Sequence, residues 1–153
     1  MTTTVQGLDG LKGLVGKHLG YSDWVEITQD QVNLFADATG DHQWIHVDVE
    51  RAKTESPFGG PIAHGYLTMS LSPALFPQLL RVEGAKMGVN YGCEKVRFPA
   101  PVPVGAKLRM GAEVLDLAEL PGGGAQVTTR FTFECEGAEK PSCVSEAVFR
   151  YYF

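Results

Sequence analysis

Asp41 and His46 are the residues of this 153-residue chain best suited to moving protons. They lie in the stretch Phe35-Ala36-Asp37-Ala38-Thr39-Gly40-Asp41-His42-Gln43-Trp44-Ile45-His46. An imidazole, with an ordinary pKa of about 6.5, can take a proton near neutral pH. A carboxylate beside it can grip and orient the same water. Residues five apart point about 140° away from each other on a helix, so this pair cannot share a helical face. They converge only if the chain between them folds back as a loop. Trp44 and Ile45 are the apolar residues that would anchor such a loop.

A helix must deliver Asp41 to a defined point. Thr28-Gln29-Asp30-Gln31 reads as a capping box, with the Thr28 hydroxyl accepting the Gln31 N–H and the Gln31 side chain reaching back. Val32, Phe35 and Ala36 supply the i, i+3, i+4 stripe of a helix running to about residue 39. Gly40 suits its left-handed exit. Asp48 can cap a second short helix over 49–54, and Pro57, Gly59, Gly60 and Pro61 make 55–61 a tight loop. From His64 onward, Leu67, Leu71, Ala74, Leu75 and Leu79 form one stripe, widened by Met69, Phe76 and Leu80. A helix apolar nearly all round belongs inside something. Pro73 and Pro77 predict a kink or break near residue 72.

The flanking segments complete the expectation. Residues 1–20 are glycine-rich and predict a loose entry helix, followed by a short strand over 21–27. Residues 86–98, 106–117, 125–135 and 142–153 read as four long strands, with Gly92 a possible bulge and 99–105 a stiff proline-rich connection. The turns Pro121–Gly124 and Gly137–Pro141 imply antiparallel hairpins. The expected fold class is α+β, one domain over 1–153, with a curved antiparallel sheet of about five strands wrapped around a central apolar helix.

Composition narrows the classes of function. Hydrophobic residues make up 44% and charged residues 20%, ordinary for a globular chain. A net charge of −5 without Lys/Arg runs argues against nucleic acid or a membrane surface as partner. Cys93, Cys135 and Cys143 have no CxxC or metal-ligand spacing, so free thiols in a reducing cytoplasm are expected, and no metal. No signal segment, transmembrane run, phosphate-binding glycine loop or Gly-x-Ser-x-Gly elbow is legible.

Gly40-Asp41-x-x-x-x-His46, followed by Gly60-Pro61-Ile62-Ala63-His64-Gly65, resembles the MaoC-like hydratases of the hotdog fold, in particular the (R)-specific enoyl-CoA hydratases. Phe35, Thr39, Gly40, Asp41, Ile45, His46 and Ala52 fall on that family's signature, whereas Gln43 stands for its Asn and Trp44 for its Pro. The Gln-Trp variant is also similar to nodulation-protein-N-like members. The resemblance implies that Asp41 and His46 act on one water, which adds OH and H to one face of a 2-enoyl thioester. Either group could serve as acid or as base.

Further roles follow from the resemblance. Gly65 opens the buried helix, where a free backbone N–H can stabilise the developing enolate on the thioester oxygen. His64 and Asn90 are candidates around the substrate, His64 chiefly in support and Asn90 facing the pocket from the first long strand. His42 is expected at the surface, and Ser70 and Ser72 are expected to bond back to their helix. The implied reaction needs no cofactor. The implied partner is an acyl-CoA, its phosphates met by cations among Arg81, Lys86, Lys95, Arg97, Lys107 and Arg109. An exposed edge strand predicts a homodimer. Two alternatives stand beside hydration of enoyl-CoA: dehydration of 3-hydroxyacyl chains on acyl carrier protein, and a non-catalytic acyl-thioester-binding protein. A hotdog thioesterase fits less well, because 66–80 contains no Asp or Glu.

Overall fold

A computed structural model describes all residues, 1–153. The chain runs β1 (Thr3–Gln6), α1 (Gly7–Lys12), β2 (His18–Tyr21), β3 (Val25–Glu26), α2 (Gln29–Thr39), α3 (Trp44–Val47) and α4 (Val49–Glu55). It continues with α5 (Gly65–Ser70), α6 (Ser72–Leu75), a 3-10 turn at Phe76–Gln78, and β4 (Leu80–Glu83). Four long strands follow: β5 (Met87–Arg97), β6 (Lys107–Glu119), β7 (Ala125–Cys135) and β8 (Cys143–Tyr152). The main sheet has the order β2-β6-β7-β8-β5, with β3 also paired to β6. Because β2 meets β6 at Gly111 and Glu113 and β3 meets it at Lys107 and Leu108, the two short strands share one edge. The sheet thus has five positions across, as expected, and this is the α+β hotdog architecture.

Alternation builds the core. Along β7 every second residue is buried, from Ala125 to Cys135, the period-2 signature of a sheet with one buried face. Phe131 and Phe133 point inward, and Phe76 from the helical layer packs edge-on against Phe131 at 4.9 Å. Leu67, Leu75 and Leu79 join the same cluster. The helical layer breaks at Leu71, as the prolines predict. One expectation fails in part: Tyr66 is 67% exposed, and Pro73 and Ala74 are exposed, so this helix buries only one face within the chain.

The amino-terminal segment is a correction. It is not loose: β1 pairs in parallel with β4, from Thr3↔Leu80 to Gln6↔Glu83. Leu11, Leu14 and Leu19 are core residues. One of its glycines is there for close approach. A Cβ on Gly10 would stand 2.8 Å from the Val5 Cβ, so only glycine lets α1 fold back on β1. The strand over 21–27 is likewise replaced by the two short pieces β2 and β3. No helix is long and apolar enough to cross a membrane.

Candidate active site

Helix α2 begins as its sequence requires. The Thr28 hydroxyl accepts the Gln31 N–H at 3.2 Å. The reciprocal half of the box is not made, and Gln31 Oε1 is buried without a partner. Gly40, at φ +82°, ends the helix with its N–H on the Ala36 carbonyl. The chain then turns through Asp41, whose Oδ1 accepts the Gln43 N–H at 3.3 Å. His46 arrives not on a loop but on the single-turn helix α3. The turn at 40–43 followed by α3 is what brings residues five apart onto one site. Gln29 ties the two helices together, its Nε2 donating to the His46 carbonyl at 2.8 Å.

His46 is buried, and its Nδ1 lies 2.7 Å from the Ile62 carbonyl oxygen. A carbonyl only accepts, so Nδ1 carries the hydrogen and the neutral ring keeps its lone pair on Nε2. Burial pushes the His46 pKa below the ordinary imidazole range. The Ile62 hydrogen bond and the Asp41 carboxylate raise it, and cationic His64 would lower it further, but desolvation is the largest cause. The result is an imidazole kept unprotonated at neutral pH. The Asp41 side chain, by contrast, is 54% exposed.

His64 is almost fully buried. Its Nε2 donates to the Asp41 carbonyl at 3.0 Å, and its ring stacks on His46 with centroids 3.9 Å apart. Donor atoms of Asp41, His46 and His64 all lie within 4.8 Å of one another. Two groups sharing one water about 2.8 Å from each would be separated by about 4.6 Å, so this spacing suits a bridging water. A carboxylate with two imidazoles is also a donor set a divalent cation accepts. The sequence places His64 near the site, but not its stacking on His46, because His64 enters from a different segment.

A cavity of about 310 Å³ opens beside His46, and Asp41 is not among the residues that line it. His46, Gly65, Thr68, Phe58 and Phe98 line it, and Pro99–Val102 and Ser142 close it. Gly65 is the first residue of α5, so its backbone N–H has no partner within the helix. A Cβ here would meet the Phe98 ring at 3.0 Å, so glycine keeps this wall open.

The fold therefore gathers Asp41, His46, His64 and Gly65, but not all as expected. His64 does not line the cavity; its ring lies behind His46 and the Asp41 turn. Asn90 is not brought to this site. It lines a separate groove with Met69, Ser70, Ser72 and Pro73. Those residues belong to the end of α5 and the start of α6, whereas Gly65 and Thr68 face the cavity from the start of α5. The expected bulge is present, between Asn90 and Gly92. Trp44 lines neither space and stacks under Arg51 at 4.2 Å, so its ring braces α3 against α4. His42 pairs with Asp37 at the surface, which raises its pKa. Ser70 bonds back to the Tyr66 carbonyl. Lys107 and Arg109 face Glu136 and Glu134.

Sequence reasoning missed Thr68, Phe98 and Ser142. Phe98 had a signal, since a large ring directly before a proline-rich connection stands where the strand gives out, and β5 ends at Arg97.

Comparison with known proteins identifies the family. A family model described as "MaoC like domain" matches residues 11–132. The 3-hydroxyacyl-thioester dehydratase Z of Mycobacterium tuberculosis is 51% identical over 148 residues, 97% of each chain. Nodulation protein N of Rhizobium leguminosarum is 46% identical over 84% of this chain and 80% of that one. An (R)-hydratase of A. caviae involved in PHA biosynthesis superposes with a TM-score of 0.68 at 30% identity, covering 88% of this chain and 94% of the other.

Proposed function

This chain belongs to the MaoC-like dehydratase family of hotdog hydro-lyases, and from that premise we propose that it interconverts trans-2-enoyl-CoA and (R)-3-hydroxyacyl-CoA. The observation that carries the reading is the His46 Nδ1 to Ile62 carbonyl bond of 2.7 Å beside the Asp41 carboxylate. It leaves Nε2 as the base. In hydration, the water held by Asp41 and His46 loses a proton as its oxygen bonds to C3. The C2=C3 π electrons move toward the thioester, whose oxygen gains charge near the Gly65 N–H. The proton that His46 Nε2 took from that water is then delivered to C2, and the thioester carbonyl re-forms. Dehydration is the same path reversed.

The acyl thioester is read as CoA-bound. Lys95 and Arg97 have no carboxylate partner and lie on the end of β5 that leads into Phe98, so they suit the CoA phosphates. The net charge of −5 disfavours an acidic carrier protein.

The working unit is read as a homodimer. Every residue of β5 except Val96 is exposed, including Met87, Val89 and Tyr91, and the strand has a free edge. Tyr66, Phe58 and Phe98 add to an apolar surface that a second copy would cover. A stable, active monomer at micromolar concentration in sedimentation would overturn this.

The test of the chemistry is turnover of crotonyl-CoA and longer enoyl-CoAs, followed by loss of conjugated thioester absorbance, with chiral analysis of the product. Asp41→Asn and His46→Gln should each lose at least ~10²–10⁴-fold in kcat. Near-native hydration by either folded variant, or mainly (S) product, would sink the assignment.

A further inference from the structure

We infer that His64 is a positioning residue, which holds Asp41 by its main chain and His46 by its ring face. The inference rests on Asp41 and His46 being the reacting pair. His64 is 3% exposed, with its Nε2 given to the Asp41 main chain and its ring face to His46, so its effect passes through these neighbours.

Three contacts define its place. Its Nε2 donates to the Asp41 carbonyl oxygen at 3.0 Å and lies 4.0 Å from the Asp41 carboxylate. The hydrogen thus goes to the main chain and leaves the carboxylate free for water. Its ring stacks on His46 at an interplanar angle of 26°. Phe35, on α2, packs against it at 4.8 Å. One imidazole therefore touches the helix that delivers Asp41, the turn that presents Asp41, and the base.

The cost of this residue points the same way. His64 Nδ1 is buried with no hydrogen-bond partner. An unpartnered buried nitrogen is destabilising, and an apolar side chain would fill the space without it. The hydrogen bond to Asp41 is what an apolar side chain could not supply. Asp41 itself sits on an exposed turn, held otherwise by the Gln43 N–H and, through its own N–H, a 3.4 Å contact to the Thr39 hydroxyl. Without His64 the carboxylate loses its tie to the buried interior. A misplacement of order 1 Å can cost ~10²-fold in rate.

The test compares two substitutions of equal length. His64→Gln can place an amide N–H near the position of Nε2, whereas His64→Met fills the space without a donor. Both lose the ring stack. With crotonyl-CoA, His64→Met should lose ~10²-fold in kcat with KM changed by less than about threefold. His64→Gln should recover to within about tenfold of the native kcat. If His64→Met does not fold, His64→Asn, too short to reach the Asp41 carbonyl, takes its place. Equal kcat losses in the Gln and donor-less variants would overturn the inference, as would a change in KM alone. Near-native turnover by His64→Met, with Asp41→Asn and His46→Gln inactive, would remove His64 and leave the pair standing. Active Asp41→Asn and His46→Gln variants would overturn both readings.

Discussion

A methyl group at residue 65 separates chemistry from packing. In Gly65→Ala the new Cβ would stand 3.0–3.1 Å from three carbons of the Phe98 ring. Relaxed carbon contacts lie at about 3.5–4.0 Å, so ring or helix must yield by about 0.5–1 Å. The ring can move. Phe98 is 41% exposed, and its edge-to-face neighbour Tyr66 is more exposed still. The backbone at residue 65 has no positive φ, so alanine adds no dihedral strain. Overpacking costs about 1–3 kcal/mol, here at the low end, and reduced unfolded-chain entropy returns about 0.4–1 kcal/mol. The thermal midpoint should therefore fall by only a few degrees, at about 2–4 °C per kcal/mol for a chain of this size. The rate should suffer far more. A thioester oxygen displaced from the Gly65 N–H by a similar distance loses an oxyanion contact worth ~10²–10³-fold, and kcat should fall toward that range with KM little changed. The assay is enoyl-CoA hydration beside thermal melting for Gly65→Ala, for Phe98→Ala and for the double variant Gly65→Ala/Phe98→Ala. The double variant relieves the ring clash, and because Phe98 itself lines the cavity, a kcat defect beyond that of Phe98→Ala alone assigns the loss to the methyl beside the thioester. A lowered midpoint with unchanged kcat would refute the reasoning and leave Gly65 a packing residue.

Burial of His46 lowers its pKa, so the acidic limb of kcat/KM should lie below about pH 6.5; a limb above that value would contradict the neutral, desolvated imidazole. The same shift links to stability. Folded protein binds fewer protons than the unfolded chain below about pH 6.5, so this contribution is complete above that pH and is lost as pH falls through the folded value. Urea midpoints across that range would register it. The reaction proposed for Asp41 and His46 routes no step through a metal, so extensive dialysis against EDTA should leave kcat unchanged; activity lost to chelation and restored by a divalent cation would recast the Asp41–His46–His64 grouping as a metal centre. Thr28→Ala removes the cap of the helix that delivers Asp41 and should cost about 1 kcal/mol in urea unfolding; no change would mean another group takes up the Gln31 N–H.

What could be read in the chain was mostly what is local. The cap at Thr28, the left-handed stop at Gly40, the cap at Asp48 and the break near Leu71 each depend on residues within one or two turns. The alternation of β7 depends only on which face is buried. What escaped depends on distant partners. Leu80 closes the apolar helical pattern, and nothing nearby marks Leu80–Glu83 as a strand; Thr3–Gln6 makes it one. Likewise, the sequence places Asn90 on the first long strand, whereas its surroundings are set by which end of α5 the bulged strand crosses. His64 could be placed near the site from its sequence neighbours, but its stacking on His46 follows only from the fold.

The pairing of β1 with β4 also has a consequence in time. The Thr2 hydroxyl and the Gln78 carbonyl that it meets are 76 residues apart in sequence. At a synthesis rate of about 5–20 residues per second, β1 leaves the ribosome roughly 4–15 s before β4 exists to receive it. Helix–coil exchange and loop closure take microseconds or less, so the nascent amino-terminal segment samples its conformations many times over with its partner missing. The Val5 side chain, which Gly10 is shaped to accommodate, cannot hold α1 against β1 in that interval, since α1 has only six residues and so short a helix is marginal alone; the amino-terminal segment takes its place only when β4 arrives to pair with it.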